Sequence, residues 1–275
     1  MNKNKIRGYY HRYFKRGVSG ITASSRVLPD FIIIGTVRSG STSLYYNICE
    51  HPSVLEAAYD EIGYFDSNYH LGENWYRSMF PTQKMMNKIR EDTGYSITGE
   101  DTPFYFWKKE VAERILSDMP ETKLIVILRN PVDRAYSNYN LAVRENNEKL
   151  TFEEAIGEEI EFLSKNSFRE TVDRFRSYLT KGMYVNQIKP WLDIFSREQL
   201  HFLSTEQMKN EPCETLDLVF KFLSIPSYDI KNLQERKLAN YKQMNENTRE
   251  QLIKYYKSYN EEFFKIINQK FEWDK

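Results

Sequence analysis

The sequence is poor in cysteine and carries no net charge. Cys49 and Cys213 are the two cysteines among 275 residues, too few for a disulfide framework and without the spacing of a zinc site. Lysine plus arginine and aspartate plus glutamate number 39 each, which argues against wholesale nucleic-acid binding. We therefore expect a reducing, cytoplasmic setting and no nucleic-acid partner. Any anion site must be confined to a local group of basic residues, because the chain as a whole is neutral.

Acidic residues are missing from residues 1–29. This segment instead carries seven basic residues, with aromatic residues between them: Lys3, Lys5, Arg7, Arg12, Lys15, Arg16 and Arg26. Because it has no apolar central region, we expect neither a signal peptide nor a membrane span here. Our interpretation is a solvated basic arm. The alternative is an arm that docks on an anionic inner-membrane surface or on a polyanionic acceptor.

The remaining chain lacks internal repeats and low-complexity linkers, so we predict a single domain over residues 30–275. Apolar runs bounded by turn residues alternate with helical patterns, which is typical of an α/β fold: a central parallel β-sheet with helices on both faces. The predicted strands are 31–35, 54–58, 96–100, 123–128 and 200–204. The predicted helices are 41–50, 106–117, 131–144, 151–164, 184–195, 212–223 and 246–270.

The stretch FIIIGTVRSGSTSLYYNI, residues 31–48, lacks the lysine of a nucleotide-hydrolase loop. Gly35 and Gly40 have the spacing of that loop, but Ser41 stands where lysine is expected. A buried strand that turns into a helix presents unpaired backbone N–H groups, which bind a phosphate oxygen. The alternative is a tight strand-to-helix turn with serine and threonine caps. Arg38 favours the anion site, because it places a permanent cation within the loop.

The stretch TKLIVILRNPVDRAYSNYN, residues 122–140, lacks the aspartate that helps hold Mg²⁺ in ATP-hydrolysing loop proteins. Its predicted strand is followed by Arg129, and Pro131 begins a helix. A guanidinium at this edge would repel a metal ion and attract a phosphate monoester. Ser137, two turns into the helix, could donate its hydroxyl to the same group. We therefore expect phosphate binding without a metal.

These two motifs, in this order and about ninety residues apart, resemble the cofactor-binding motifs of sulfotransferases that use 3′-phosphoadenosine 5′-phosphosulfate. Three more segments, 61–81, 99–106 and 182–208, are similar to heparan-type carbohydrate sulfotransferases, with their N-sulfotransferase and 3-O-sulfotransferase domains. The resemblance covers roughly residues 30–265. It implies a P-loop-like fold and sulfuryl transfer to a hydroxyl or amine, with adenosine 3′,5′-bisphosphate as product and a carbohydrate as the expected acceptor.

The resemblance also implies roles for particular residues. Glu61 is the expected general base, and Arg38 the residue that assists the leaving group. Arg129 and Ser137 stand at the positions that bind the 3′-phosphate. The loop around the 5′-phosphate is formed by Ser39, Gly40, Ser41, Thr42 and Ser43. A late loop, RKLANYKQM at residues 236–244, lacks the usual glycine but supplies Lys237 and Tyr241 as nucleotide contacts. The residues expected near the acceptor are Glu61, Tyr64, Phe65, Pro103, Tyr105 and Trp107.

The chain departs from the heparan-type pattern in two places. Many of those enzymes have lysine where this chain has Arg38, which cannot give up a proton. Their 3-O enzymes usually have lysine at the position of Asp60, and this change disfavours a sulfated or carboxylated glycan. His70 is an alternative base. Two other functions stay open: a small-molecule kinase, which would need a cation in place of Ser41, and a non-catalytic nucleotide-binding scaffold of the same fold.

Overall fold

Five parallel strands form a central sheet in the computed structural model, which describes residues 21–168, 177–231, 233 and 241–274. The strands are β1 Phe31–Gly35, β2 Val54–Leu55, β3 Ile97–Asp101, β4 Lys123–Leu128 and β5 Leu200–Ser204. They lie in the order β2-β3-β1-β4-β5, and each neighbouring pair is parallel. The predicted α/β class with a parallel sheet is confirmed, although β2 has two residues where 54–58 was predicted.

Helices connect the strands and cover the sheet. They are α1 Ser41–Cys49, α2 Glu73–Arg77, α3 Gln83–Thr93, α4 Lys109–Asp118, α5 Pro131–Arg144, α6 Phe152–Lys165, α7 Tyr184–Leu192, α8 Thr205–Asn210, α9 Pro212–Leu223 and α10 Glu246–Ile267. The predictions did not include α2, α3 and α8. In α3 a single residue, Met86, is buried, so its apolar periodicity is weak. Thr82, which accepts a hydrogen bond from Met85 N, caps its start.

The sheet is buried on both faces, which explains its unbroken apolar runs. Ile32 and Ile34 of β1 point into one core cluster, together with residues of α4, α7 and α10. Phe31 and Ile33 point into a second cluster, together with residues of α1 and α9. Successive side chains of a strand alternate between faces, so a strand that is covered on both sides needs apolar residues throughout. The predicted helices on both faces are therefore confirmed.

Part of the predicted basic arm belongs to the packed part of the chain. Arg26 pairs with Thr82 in an isolated antiparallel bridge, its guanidinium donates to the Phe80 carbonyl oxygen, and its own carbonyl accepts from Arg77 at 2.9 Å. Ala23 is buried. The rest of the arm, residues 1–20, lies outside the described residues. No helix in the described ranges combines the length and apolar character that a membrane crossing requires.

The fold brings three chain segments to one edge of the sheet. β1 lies between β3 and β4, and all three strands end at the same edge because they are parallel. The loop 36–40 follows β1, the loop 102–108 follows β3, and residues 129–130 follow β4. In open α/β sheets, ligands bind outside the carboxyl ends of the strands. This edge is therefore where the motifs of the sequence can act together.

Candidate active site

The loop 36–40 is shaped by a close approach and by a left-handed turn. A Cβ atom at Gly35 would lie 2.7 Å from the Cβ of Phe106, so only glycine fits where β1 leaves the sheet. Gly40 precedes α1 with a φ of 85°, which glycine adopts without strain. It has no side chain to cap the helix, so the N–H groups of the first turn of α1 are left for a ligand. The helix start is therefore open to an anion, and anion binding by this loop stays a prediction.

Hydrogen bonds of two threonine residues hold this loop against the ends of the neighbouring strands. The Thr36 N–H donates to the carbonyl of Ile127 at 2.6 Å, and the hydroxyls of Thr36 and Ser39 lie 2.6 Å apart. The Thr205 hydroxyl, at the end of β5, lies 2.7 Å from the carbonyl oxygen of Ser39. Ser39 is fully buried, so its hydroxyl supports the loop rather than facing a ligand, in contrast to its predicted place around the 5′-phosphate. Sequence reasoning missed Thr36 and Thr205, since threonine after a strand has no distinctive pattern.

The two sequence motifs meet through Arg38, Arg129 and Ser137. The Nε of Arg38 donates to the Ser137 hydroxyl at 3.1 Å, and Nη1 of Arg129 donates to the Arg38 carbonyl at 3.3 Å. Burial, followed by the charges of Arg129 and Arg144, lowers the pKa of Arg38. Cations held this close to each other repel, and an anion between them would relieve that repulsion.

Two tyrosines complete this side of the site. Tyr184, which is buried, donates its hydroxyl to the Arg129 carbonyl at 2.8 Å and so fixes the backbone that carries the guanidinium. Tyr241 packs edge-on against Tyr136, with ring centroids 5.5 Å apart, and lies close enough to Arg38 to interact with it electrostatically. Tyr241 therefore lies near Arg38, and its contact with the nucleotide stays a prediction. Its predicted companion in the late loop, Lys237, lies outside the described residues.

Glu61 is exposed in a segment, residues 61–68, that we call the Glu61 loop and that ends in a short π-helix, Tyr64–Asn68. Its N–H donates to the Asp101 carbonyl at 2.9 Å, and its φ of 49° is unusual for a residue other than glycine. The preceding residue, Asp60, accepts the Tyr46 hydroxyl of α1 at 2.7 Å. The Glu61 loop is therefore tied to both β3 and α1. His70, the alternative base, is exposed on a short 3-10 helix, Tyr69–Leu71.

A buried carboxyl group, Asp101, lies between the Glu61 loop and the start of α1. Neither carboxyl oxygen has a hydrogen-bond partner of normal geometry among the described residues. Burial, followed by the charges of Asp60, Glu100 and Glu61, raises the pKa of Asp101 to about 8, and the hydroxyl of Thr42 lowers it in part. The carboxyl group is therefore mainly neutral at pH 7. Because both Thr42 and Glu61 act on Asp101, the predicted base lies near the start of α1, which is the predicted phosphate site.

The predicted acceptor contacts Tyr64, Phe65, Pro103 and Tyr105 are buried. Tyr64 stacks on Tyr76 with ring centroids 4.4 Å apart, within the core cluster under the Glu61 loop. The expectation that these side chains face an acceptor is therefore wrong. Burial of large aromatic rings in the core is favourable, and the rings next to this strand end are buried there and do not line a cleft.

The aromatic surface at this edge comes instead from Phe104, which is 40% exposed, and from Trp107. Their ring centroids lie 5.4 Å apart. The Lys181 ammonium lies 4.5 Å above the Trp107 ring, within cation–π distance. The site thus combines basic groups after β1 and β4, carboxyl groups after β2 and at the end of β3, and an aromatic edge. In the described part of the chain, no three His, Cys, Asp or Glu side chains are grouped so that they could hold a metal ion.

Known proteins share sequence and fold with this chain. The family model described as the sulfotransferase domain matches residues 28–271. The chain is 34% identical over 203 residues to heparan sulfate glucosamine 3-O-sulfotransferase 3B1 of Mus musculus, covering 74% of this chain and 48% of that protein. It is 29% identical to bifunctional heparan sulfate N-deacetylase/N-sulfotransferase 4 of Mus musculus, covering 88% of this chain and 30% of that protein.

A third curated relative, membrane-associated sulfotransferase kil1 of Dictyostelium discoideum, is 26% identical, covering 90% of this chain and 66% of that protein. The chain therefore spans about two thirds of one of these relatives and half or less of the other two. The crystal structure of a sulfotransferase from Alicyclobacillus acidocaldarius is similar in fold, with a TM-score of 0.69 at 24% identity, covering 89% of this chain and 98% of that one.

Proposed function

Because the chain belongs to the sulfotransferase domain family, we propose that it transfers the sulfuryl group of 3′-phosphoadenosine 5′-phosphosulfate to a hydroxyl or amine of an acceptor. The observation that carries this proposal is the meeting of Arg38, Arg129 and Ser137 beside the open start of α1. It provides two places for anions, one at the helix start and one at the arginine and serine side chains. A nucleotide with phosphate groups at both ends of its ribose would fill both.

The proposed donor site divides between these two places. Arg129 and Ser137 bind the 3′-phosphate, with Tyr241 and, outside the described residues, Lys237 as further contacts of the nucleotide. The 5′-phosphosulfate lies at the N-terminus of α1, where Gly40, Ser41, Thr42 and Ser43 supply backbone N–H groups and hydroxyls. Arg38 lies between the two places and stabilises the charge of the leaving 5′-phosphate.

The chemistry follows from this division. The acceptor oxygen or nitrogen attacks sulfur in line with the bond to the 5′-phosphate; a new bond to sulfur forms as the bond from sulfur to the bridging phosphate oxygen breaks. Glu61 takes the acceptor proton, and adenosine 3′,5′-bisphosphate leaves. The transferred sulfuryl group carries less negative charge than a phosphoryl group, so arginine and amide groups can stabilise the transition state without a metal.

A carbohydrate is the acceptor that we propose. Two of the relatives are named for heparan sulfate. The exposed face of Phe104 and the neighbouring Trp107 would suit the apolar face of a sugar ring. Asp60 and Glu61, side by side at this edge, would repel a highly sulfated chain, so a neutral or weakly charged sugar is the better match. The cytoplasmic location stays a prediction, as does the solvated basic arm, with docking on an anionic membrane surface as its alternative.

The experiment that tests this function is a transfer assay. Purified protein is incubated with a radiolabelled sulfuryl donor and a panel of acceptors: neutral oligosaccharides, heparan-type oligosaccharides, amines, lipids and phenols. We expect labelled product with a neutral saccharide, in the presence of a metal chelator. Transfer to none of the acceptors would favour the nucleotide-binding scaffold, and phosphoryl transfer from ATP would favour the kinase. The matched inactive control is Glu61→Gln, which keeps the size of the side chain and removes its basicity.

A further inference from the structure

Glu100, the next-to-last residue of β3, is a buried carboxylate with no positively charged partner among the described residues. Glu100 is fully buried, and hydroxyl groups satisfy its two oxygens. Oε1 accepts from the Tyr76 hydroxyl at 2.6 Å and, at a longer 3.4 Å, from that of Tyr105; Oε2 accepts from the Thr102 hydroxyl at 2.8 Å. A buried carboxyl group surrounded by three hydroxyl donors is costly to maintain, and this cost calls for an explanation.

Two of these hydroxyls also hold the Glu61 loop. The Gly63 N–H donates to the Thr102 hydroxyl oxygen at 3.2 Å, and the Phe65 N–H donates to the Tyr105 hydroxyl oxygen at 3.1 Å. A hydroxyl group has a single proton. Once its oxygen accepts a backbone N–H, its own proton is directed to Glu100. The carboxylate thus sets the direction of two hydrogen-bond relays, in which a backbone N–H of the loop donates to a hydroxyl and that hydroxyl donates to Glu100. One runs through Thr102 and the other through Tyr105.

The loop needs this support because its backbone is unfavourable at Glu61. The φ of 49° places this residue in the left-handed region, which non-glycine residues occupy only where neighbouring contacts hold them. The Asp101 carbonyl accepts the Glu61 N–H at 2.9 Å, and the hydroxyls of Thr102 and Tyr105 accept the N–H groups of Gly63 and Phe65. Three successive attachments to β3 and its following loop therefore orient the Glu61 side chain.

We propose that Glu100 is a positioning residue for sulfuryl transfer: through the hydroxyls of Thr102 and Tyr105, its carboxylate holds the Glu61 loop so that Glu61 meets the acceptor proton. This inference rests on the proposed function and adds to it a residue that does not itself touch the substrates. A reacting group displaced by about 1 Å can lose about 100-fold in rate, so loop position alone can control turnover.

The charge of Glu100 gives this role a pH signature. Burial is the largest cause that raises its pKa to about 7, the hydroxyl bonds lower it, and the charge of Asp66 raises it. The other titratable groups around it are Tyr76 and Tyr105, whose pKa values burial raises well above their ordinary value, and the mainly neutral Asp101. As the pH falls through about 7, the carboxyl group takes up a proton and becomes a donor. It then competes with the hydroxyl protons, and the relays weaken.

The test compares Glu100→Gln with Glu159→Gln, which changes another buried carboxylate. Glu159, on α6, accepts the N–H groups of Leu179 and Thr180 at 2.8 and 2.7 Å, and burial likewise raises its pKa. Its bonds come from the turn before α7 rather than from the Glu61 loop. The measurements are kcat and KM across about pH 6 to 9, and the Kd of adenosine 3′,5′-bisphosphate.

We expect Glu100→Gln to lower kcat about 10- to 100-fold, to leave the nucleotide Kd within about 3-fold, and to remove the fall of kcat below about pH 7. Glu159→Gln is expected to keep kcat within about 3-fold and to keep that fall. A Glu100→Gln protein with unchanged kcat and pH profile would overturn the proposal. So would an equal loss in both variants, which would indicate a general effect of a buried carboxylate.

Amide hydrogen exchange provides a measurement that does not depend on activity. In Glu100→Gln, the amides of Gly63 and Phe65 are expected to exchange about 10-fold faster, while those of α6 do not change. If Glu100→Gln does not fold, Tyr105→Phe breaks one relay and should accelerate exchange at Phe65. Unchanged exchange in the variant that folds overturns the proposal. A protein that transfers no sulfuryl group but shows the selective acceleration would refute the proposed function and support the relays, so the two failures are distinguishable.

Discussion

Replacing Arg129 by methionine tests the assignment of the 3′-phosphate. Among the described residues this side chain donates one long hydrogen bond, 3.3 Å to the Arg38 carbonyl, so its removal should cost the fold at most about 1 kcal/mol. Toward a bound phosphate monoester it would make charge-assisted hydrogen bonds, worth about 1.5 to 3 kcal/mol. At about 1.4 kcal/mol for each tenfold change, Arg129→Met should weaken adenosine 3′,5′-bisphosphate binding about 10- to 150-fold.

The assay is a calorimetric titration with adenosine 3′,5′-bisphosphate and with adenosine 5′-monophosphate, which lacks the 3′-phosphate. The wild type should prefer the bisphosphate, and Arg129→Met should lose most of that preference while its affinity for the monophosphate changes little. The control is Arg90→Met, which removes an exposed arginine of α3, whose charge acts on Asp30 before β1. Equal weakening of both nucleotides, or no weakening of either, would refute the assignment.

Three further predictions concern the other parts of the site. Glu61→Gln should lower kcat about 10²- to 10⁴-fold with the nucleotide Kd unchanged, measured by sulfuryl transfer; a wild-type rate would identify another group as the base. Asp101→Asn should remove a pH dependence of stability. The pKa of Asp101 is about 8 in the folded protein, so the folded state binds the proton more tightly than the unfolded state does. Wild-type stability therefore falls as the pH rises from about 4 to 8, by up to about 1.4 kcal/mol per pH unit. The free energy of unfolding is measured in urea at about pH 5 and about pH 8. Relative to the wild type, Asp101→Asn should be more stable at about pH 8 than at about pH 5. An equal change of stability with pH in both proteins would contradict the effect of burial on the pKa of Asp101. Gly35→Ala should destabilise the fold by about 1 to 3 kcal/mol, because the new Cβ would lie 2.7 Å from that of Phe106, and an unchanged thermal midpoint would mean that β1 shifts freely.

The sequence determines the framework wherever the local signals are strong. β1, β4, β5, α5 and α9 have the predicted limits, because apolar runs end at glycine or polar residues and because Pro131 and Pro212 begin helices. The meeting of Arg38 and Arg129 was also predictable. Both residues follow parallel strands, and the carboxyl ends of parallel strands share an edge.

The sequence does not reveal which polar residues the fold buries. Glu100 and Asp101 are neighbours at the end of β3, and nothing in their local pattern distinguishes them from exposed carboxylates, although both are fully buried. Conversely, Tyr64 and Phe65 were expected at an acceptor and lie in the core. Burial of a residue at a strand end depends on the loops packed over it, and these contacts join segments far apart in the chain.

The central claim is that this site binds an adenosine nucleotide with phosphate groups at both ends of its ribose, using arginine and backbone groups in place of lysine and a metal ion. Calorimetric titration of the wild-type protein in a metal chelator tests it most directly. We predict that adenosine 3′,5′-bisphosphate binds with a Kd in the micromolar range or below, roughly −8 kcal/mol, and that ATP with Mg²⁺ binds at least about 100-fold more weakly. Tight, magnesium-dependent ATP binding together with no measurable binding of the bisphosphate would contradict the claim.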